Sequence, residues 1–147
     1  IQCSSGYSKD EIHSIRVRSA LFGYGFFAAI GSILTVPLAG TAITHWWVEI
    51  KTRNGNWYVA QWENESKYLV LKEVSSQLQA TKYGKKCTSG WNPEKKSDEV
   101  KMSYVCPEWK TRTIGELIDK CMDKQGEYNA VGNNNRHFAI AVYRWIS

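Results

Sequence analysis

The stretch THWWVEIKTRNGNWYVAQWEN, residues 44–64, limits the fold more than any other part of this chain. Two runs rich in β-branched and aromatic residues flank Asn54-Gly55, a dipeptide suited to the left-handed backbone of a tight hairpin turn. A two-residue loop there pairs Arg53 with Asn56. It sets His45 opposite Asn64, Trp47 opposite Trp62 and Glu49 opposite Ala60. Because side chains alternate along a strand, His45, Trp47 and Glu49 share one face, and Trp46, Val48 and Ile50 share the other. Trp46, Trp47, Trp57 and Trp62 can all face inward only if both faces of the sheet are covered; otherwise some of them line a groove.

The remaining elements follow from period and punctuation. SKDE at 8–11 fits a capping box and predicts a helix over about 8–17. LFGYGFFAAIGSILTVPLAG, residues 21–40, carries no charge and is long enough to span a bilayer. Its four glycines and Pro37 favour two buried segments joined near Gly31, the second a strand ending at Pro37. YLVLKEV at 68–74 and KMSYVC at 101–106 read as strands. The lysines from Lys82 to Lys86, with Lys95 and Lys96, read as a solvated loop. Residues 111–126 read as a helix that turns Ile114, Leu117, Ile118 and Cys121 to one side and stops at Gly126. RHFAIAVYRWI is an apolar C-terminal helix. With 147 residues, no repeat and no long linker, the expectation is a single α+β domain over 1–147, a small antiparallel sheet packed by helices.

The net charge of +5 is mild and its cations are scattered, and no nucleic-acid-binding motif is present, so nucleic acid is not an expected partner. Cys3, Cys87, Cys106 and Cys121 have no zinc-ligand spacing, and neither a metal nor another cofactor is expected. An even cysteine count and a first residue, Ile1, that is not Met lead to the expectation of a secreted, extracellular, disulfide-bonded protein. Four cysteines allow three pairings, one of which joins Cys87 with Cys106 and Cys3 with Cys121.

Two separated stretches resemble the lecithin:retinol acyltransferase-like, or H-box/NC, branch of the permuted papain-like cysteine hydrolases. In the first, Gly31-Ser32, Pro37 and His45-Trp46 fall where that family has a strand start, a proline and the His-Trp that heads the next strand. In the second, YNAVGNNNRHF at 128–138, Tyr128, Asn133, Asn134, His137 and Phe138 match. Asn135 stands where the family has its nucleophilic cysteine. The resemblance implies a permuted papain-like fold with His45 as the base position and Asn135 as the nucleophile position. For the residue that orients the histidine, the hairpin register gives Asn64, with Gln61 or Glu63 if the register slips. Trp46, Tyr128, Asn134 and His137 would border the groove.

A carboxamide cannot replace a thiolate, because its nitrogen is not nucleophilic at neutral pH and does not ionise. The expected function is therefore that of a secreted pseudoenzyme which binds a lipid, acyl or peptide ligand in a relic active-site groove. Two alternatives stay open. One is a thiol acyltransferase, phospholipase or amidase seen as a Cys-to-Asn variant. The other is a secreted, toxin-like membrane-active protein that uses residues 21–40 against a membrane surface. Each residue also has a plainer role: Asn133 or Asn134 as a helix N-cap, His45 as a packed histidine, the tryptophans as core.

Overall fold

A computed structural model of the protein describes residues 9–21, 44–62, 69–86, 98–122 and 135–147. These residues form an α+β unit. Five strands, β1 (Ile12–Leu21), β2 (Thr44–Thr52), β3 (Trp57–Trp62), β4 (Leu69–Val74) and β5 (Asp98–Val105), make one antiparallel sheet in the order β4-β3-β2-β1-β5. Three helices, α1 (Gln77–Lys86), α2 (Ile114–Met122) and α3 (Asn135–Ile146), pack against it. The segments expected around Gly31 and Pro37 lie outside the described residues.

Both faces of the sheet are covered, which accounts for Trp46, Trp47 and Trp62, while Trp57 is only half-buried. Trp46, Val48, Ile50, Tyr58, Ala60 and Trp62 face the larger core, together with Ile114 and Leu117 of α2 and Phe138, Val142 and Ile146 of α3. Trp47 and Val59 face the opposite way and form a smaller core with Ala20 and Ala80. There α1 lies very close to the sheet. A Cβ built on Gly84 would come within 2.3 Å of Trp47 Cε2, so only glycine lets the helix rest on the indole.

Residues 12–17 are strand, not helix. Ser8, the expected N-cap, lies outside the described residues, and β1 is an inner strand between β2 and β5. A register shift falls between Ile12 and Ser14. The bulge moves Ile12 out of phase, so Ile12 and Ile15 reach the same core although they are three residues apart. That spacing imitates a helical face. Asp10 does cap something, but in another element. Its carboxylate accepts from Asn54 Nδ2 (2.9 Å), Asn56 Nδ2 (2.7 Å) and Tyr58 Oη (3.2 Å), which pins the hairpin turn. A reciprocal capping box does form at α2: Glu116 N donates to Thr113 Oγ1 (3.1 Å), and Thr113 N donates to Glu116 Oε1 (3.2 Å).

The hairpin closes one residue away from the expected register. Gly55 N donates to Thr52 O and Thr52 N donates to Asn56 O, which makes a three-residue loop with Gly55 at φ 85°. Glu49 therefore pairs with Val59 and Val48 with Ala60, rather than Glu49 with Ala60. A slip of one residue exchanges the faces of a strand. It turns Trp62 onto Phe138 of α3 (ring centroids 6.3 Å apart) and turns Gln61 to the face of His45.

The lysine cluster belongs in part to α1. Lys82 and Lys85 are helical, and Lys85 Nζ lies 2.5 Å from Asp98 Oδ1. Gln79 N donates to Ser76 Oγ at 3.2 Å, and Ser76-x-x-Gln79 is the sequence signal for this helix start. Cys106 and Cys121 are both buried free thiols, and no disulfide occurs among the described residues. Cys3 and Cys87 lie outside those residues. No described helix is long and apolar enough to cross a membrane.

Two carboxylates tie this fold to pH. Burial opposes the charge on Asp10, but hydrogen bonds from Asn56, Asn54 and Tyr58 outweigh it and hold the pKa below the ordinary 3.8. Asp98 behaves alike: burial is outweighed by the hydrogen bonds and charges of Lys85 and Arg18. A carboxylate whose pKa falls on folding contributes stability above its unfolded pKa and loses it as pH drops through the folded value. Urea unfolding is thus expected to give a free energy that declines as pH falls below about 4. Asp10→Asn should flatten part of that decline.

Candidate functional site

Asn135 is the first residue of α3, and His45 lies near the start of β2. The larger core holds this helix end to the sheet through Phe138 and Ala139, with Trp46 beside His45. At their junction three polar side chains meet away from water. His45 and Gln61 are 0% exposed and Asn135 is 4% exposed.

Asn135 Oδ1 accepts from the backbone N–H of Trp46 at 3.3 Å, which leaves its Nδ2 facing His45 Nδ1 at 3.1 Å. The other ring nitrogen, Nε2, lies 2.7 Å from Gln61 Oε1. An amide oxygen only accepts and an amide NH₂ only donates, so these bonds specify one tautomer: the neutral imidazole, with its proton on Nε2 and a lone pair on Nδ1. The indole of Trp47 stacks against the ring, centroids 5.8 Å apart and planes 23° apart.

Trp47 is in turn held by a buried carboxylate. Trp47 Nε1 donates to Glu49 Oε2 at 3.0 Å, and Thr81 Oγ1 of α1 donates to the same oxygen at 2.7 Å. Arg18 Nε donates to Glu49 Oε1 at 2.8 Å, and Arg18 Nη1 donates to Asp98 Oδ2 at 2.7 Å. Glu49 is 0% exposed, so its charge depends on this pairing. A continuous polar chain therefore runs from Lys85 through Asp98, Arg18, Glu49 and Trp47 to the His45 ring.

Of the residues singled out in the sequence, the structure joins His45, Asn135 and the backbone of Trp46. Gln61 bonds His45 Nε2, in the place given first to Asn64 and to Gln61 only if the register slipped; Asn64 and Glu63 lie outside the described residues, as do Tyr128, Asn133 and Asn134. His137 is exposed on α3. The Trp46 ring lies beneath two cations, Arg136 Cζ at 5.4 Å and Lys101 Nζ at 5.7 Å from its centroid. Sequence reasoning missed the Glu49–Arg18 pair. The available signal was a glutamate amid strongly apolar strand positions, which demands a buried partner. No group of three or more metal-ligating side chains occurs among the described residues.

No protein-family model, no curated protein and no solved structure matches this chain.

Proposed function

We propose that this chain is a permuted papain-like domain of the H-box/NC type in which a carboxamide replaces the nucleophilic thiol, and that it acts by binding rather than by cleavage. One observation supports this reading above the others. A side chain opening a helix, a histidine near the head of a strand and an amide oxygen on the next strand are joined in the order Asn135–His45–Gln61, at 3.1 and 2.7 Å. Thiol hydrolases join nucleophile, general base and orienting group in the same order. In such a site His45 Nδ1 would take the thiol proton while Nε2–H stayed on Gln61. Asn135 has no acidic proton to yield and no thiolate to form. The domain would thus keep a base and its orienting amide with nothing to activate.

The proposed setting is extracellular, and the proposed partners are lipid, acyl or peptide ligands that reach the site past Trp46 and its flanking cations. Hydrolysis of an activated acyl ester, p-nitrophenyl acetate, tests the non-catalytic part. The unmodified chain and His45→Ala should give the same slow rate. A rate that depends on His45 would show working chemistry and overturn the reading.

A further inference from the structure

An open cleft of about 300 Å³ lies where the edge strand β4 runs into α1. Lys72, Val74 and Ser75 line it from the strand end, and Gln79, Lys82 and Tyr83 line it from the helix. Its size is that of a small-molecule pocket. Lys72, Ser75, Gln79 and Lys82 are exposed, so a ligand reaches it from solvent.

The strand register decides which charges enter the cleft. Lys72 pairs with Val59, which faces the smaller core under α1. Glu73 pairs with Tyr58, which faces the larger core. Residues directly opposite in an antiparallel pair share a face. Lys72 and Val74 therefore project to the α1 side. Glu73 also borders the cleft, but its carboxylate projects from the other face of the sheet. The polar side chains on the α1 side are thus two ammonium groups, the Gln79 amide and the Ser75 hydroxyl, with no acid among them.

Both cations are placed and neither is neutralised. Lys72 Nζ lies 4.5 Å from the centroid of the Tyr83 ring, and Tyr83 packs against the smaller core. Lys82 follows Gln79 by one turn on the same side of α1. Lys72 and Lys82 belong to no ion pair among the described residues, whereas Lys85 is bound to Asp98. The first turn of α1 holds no acidic residue, so the positive end of the helix dipole adds to the same field. Two ammonium groups facing one cleft repel each other, and a bound dianion removes that cost.

We infer that this cleft binds a phosphate monoester, with Lys72 and Lys82 balancing its charge and Gln79 and Ser75 donating to its oxygens. Such a group carries about −1.5 to −2 charges at pH 7 and three acceptor oxygens, which matches two cations and two neutral donors. A carboxylate brings about half the charge. Two sources share this chemistry, a soluble phosphate monoester and a lipid headgroup. Leu78, 61% exposed and one turn before Lys82, is the apolar contact that a headgroup source would use. The inference is independent of the papain-like reading, since none of these residues belongs to the Asn135–His45–Gln61 group.

A ¹H–¹⁵N NMR titration with phenyl phosphate at pH 7 and constant ionic strength tests it. Amide shifts around Ser75, Gln79 and Lys82 should saturate, and benzoate should bind more weakly. Lys72→Ala and Lys82→Ala should each weaken phenyl phosphate binding about five- to tenfold, the lower range for a charged hydrogen bond because both side chains are exposed. Lys120→Ala, on α2, should leave it unchanged. Shifts that do not saturate, an equal response to benzoate, or unchanged affinity in both cleft variants would overturn the inference. Sedimentation with phosphatidylcholine vesicles containing phosphatidic acid separates the sources. Vesicle binding that Lys82→Ala reduces supports the inference with a headgroup as the source. Saturable phenyl phosphate binding without vesicle binding supports it with a soluble phosphate.

Discussion

Glu49→Ala is expected to lower the free energy of unfolding by about 3 kcal/mol and Tm by about 6–12 °C. Glu49 is fully buried, and its two oxygens accept from Arg18, Trp47 and Thr81 at 2.7–3.0 Å. Removing one member of a buried ion pair leaves the other uncompensated, at a cost of about 3–5 kcal/mol. The lower end applies here because Arg18 keeps Asp98 and its side chain is 14% exposed. The indole N–H of Trp47 also loses this acceptor. Glu49→Gln keeps an acceptor and should lose about half as much. Urea unfolding at pH 7 measures both. A loss below about 1 kcal/mol for the alanine variant would mean that the carboxylate is solvated and does not hold Trp47.

The hairpin was the most legible part of the fold, and its details show where reading stopped. Alternation along 44–50 correctly separated His45, Trp47 and Glu49 from Trp46, Val48 and Ile50. The turn residues gave the right turn with the wrong register. Asn-Gly suits both a two-residue loop and the observed three-residue loop, which Thr52, Asn56 and the side chains bonding Asp10 select. Selection by Asp10 is tertiary, because Asn54 and Asn56 meet it only once the chain has folded. The same holds for β1, where SKDE suggested a helix start that only pairing with β2 and β5 could overrule. Helix α1 went unread, because the lysines from 82 to 86 look like a solvated loop and only Ser76-x-x-Gln79 signals the helix start. Residues 114–121 were easy, because Ile114, Leu117 and Cys121 carry a strong apolar stripe and are all buried.

For the site, two motifs 90 residues apart named His45 and Asn135, which the structure sets 3.1 Å apart. Gln61 was reachable only once the register was known, because a single-residue slip decides whether 61 or 62 faces the imidazole. The support beneath Trp47 was not legible, since it joins β1, β2, β5 and α1 through side chains remote in sequence.

The most direct measurement is the titration of a thiol placed at position 135. In Asn135→Cys the thiol would stand at the first residue of α3, facing His45 Nδ1, and several effects would compete there. Burial alone raises a thiol pKa, as at Cys121, which burial pushes to about 12, and at Cys106, which burial also raises. Unpaired backbone N–H groups and the dipole of a helix start lower it, and so does a histidine able to take the proton. If the site is a papain-like one that lacks only its nucleophile, the lowering effects win. Thiolate absorbance near 240 nm, followed against pH and corrected with the unmodified chain, reads the outcome without requiring a reagent to reach the site. The expected midpoint for Asn135→Cys lies within about 3.5–7.5, below the free-thiol value of about 8.5, and it should rise by a unit or more when His45→Ala is added. A midpoint at or above about 8.5 in both variants would show that neither the helix start nor His45 acts on position 135, and would contradict the papain-like reading of Asn135, His45 and Gln61.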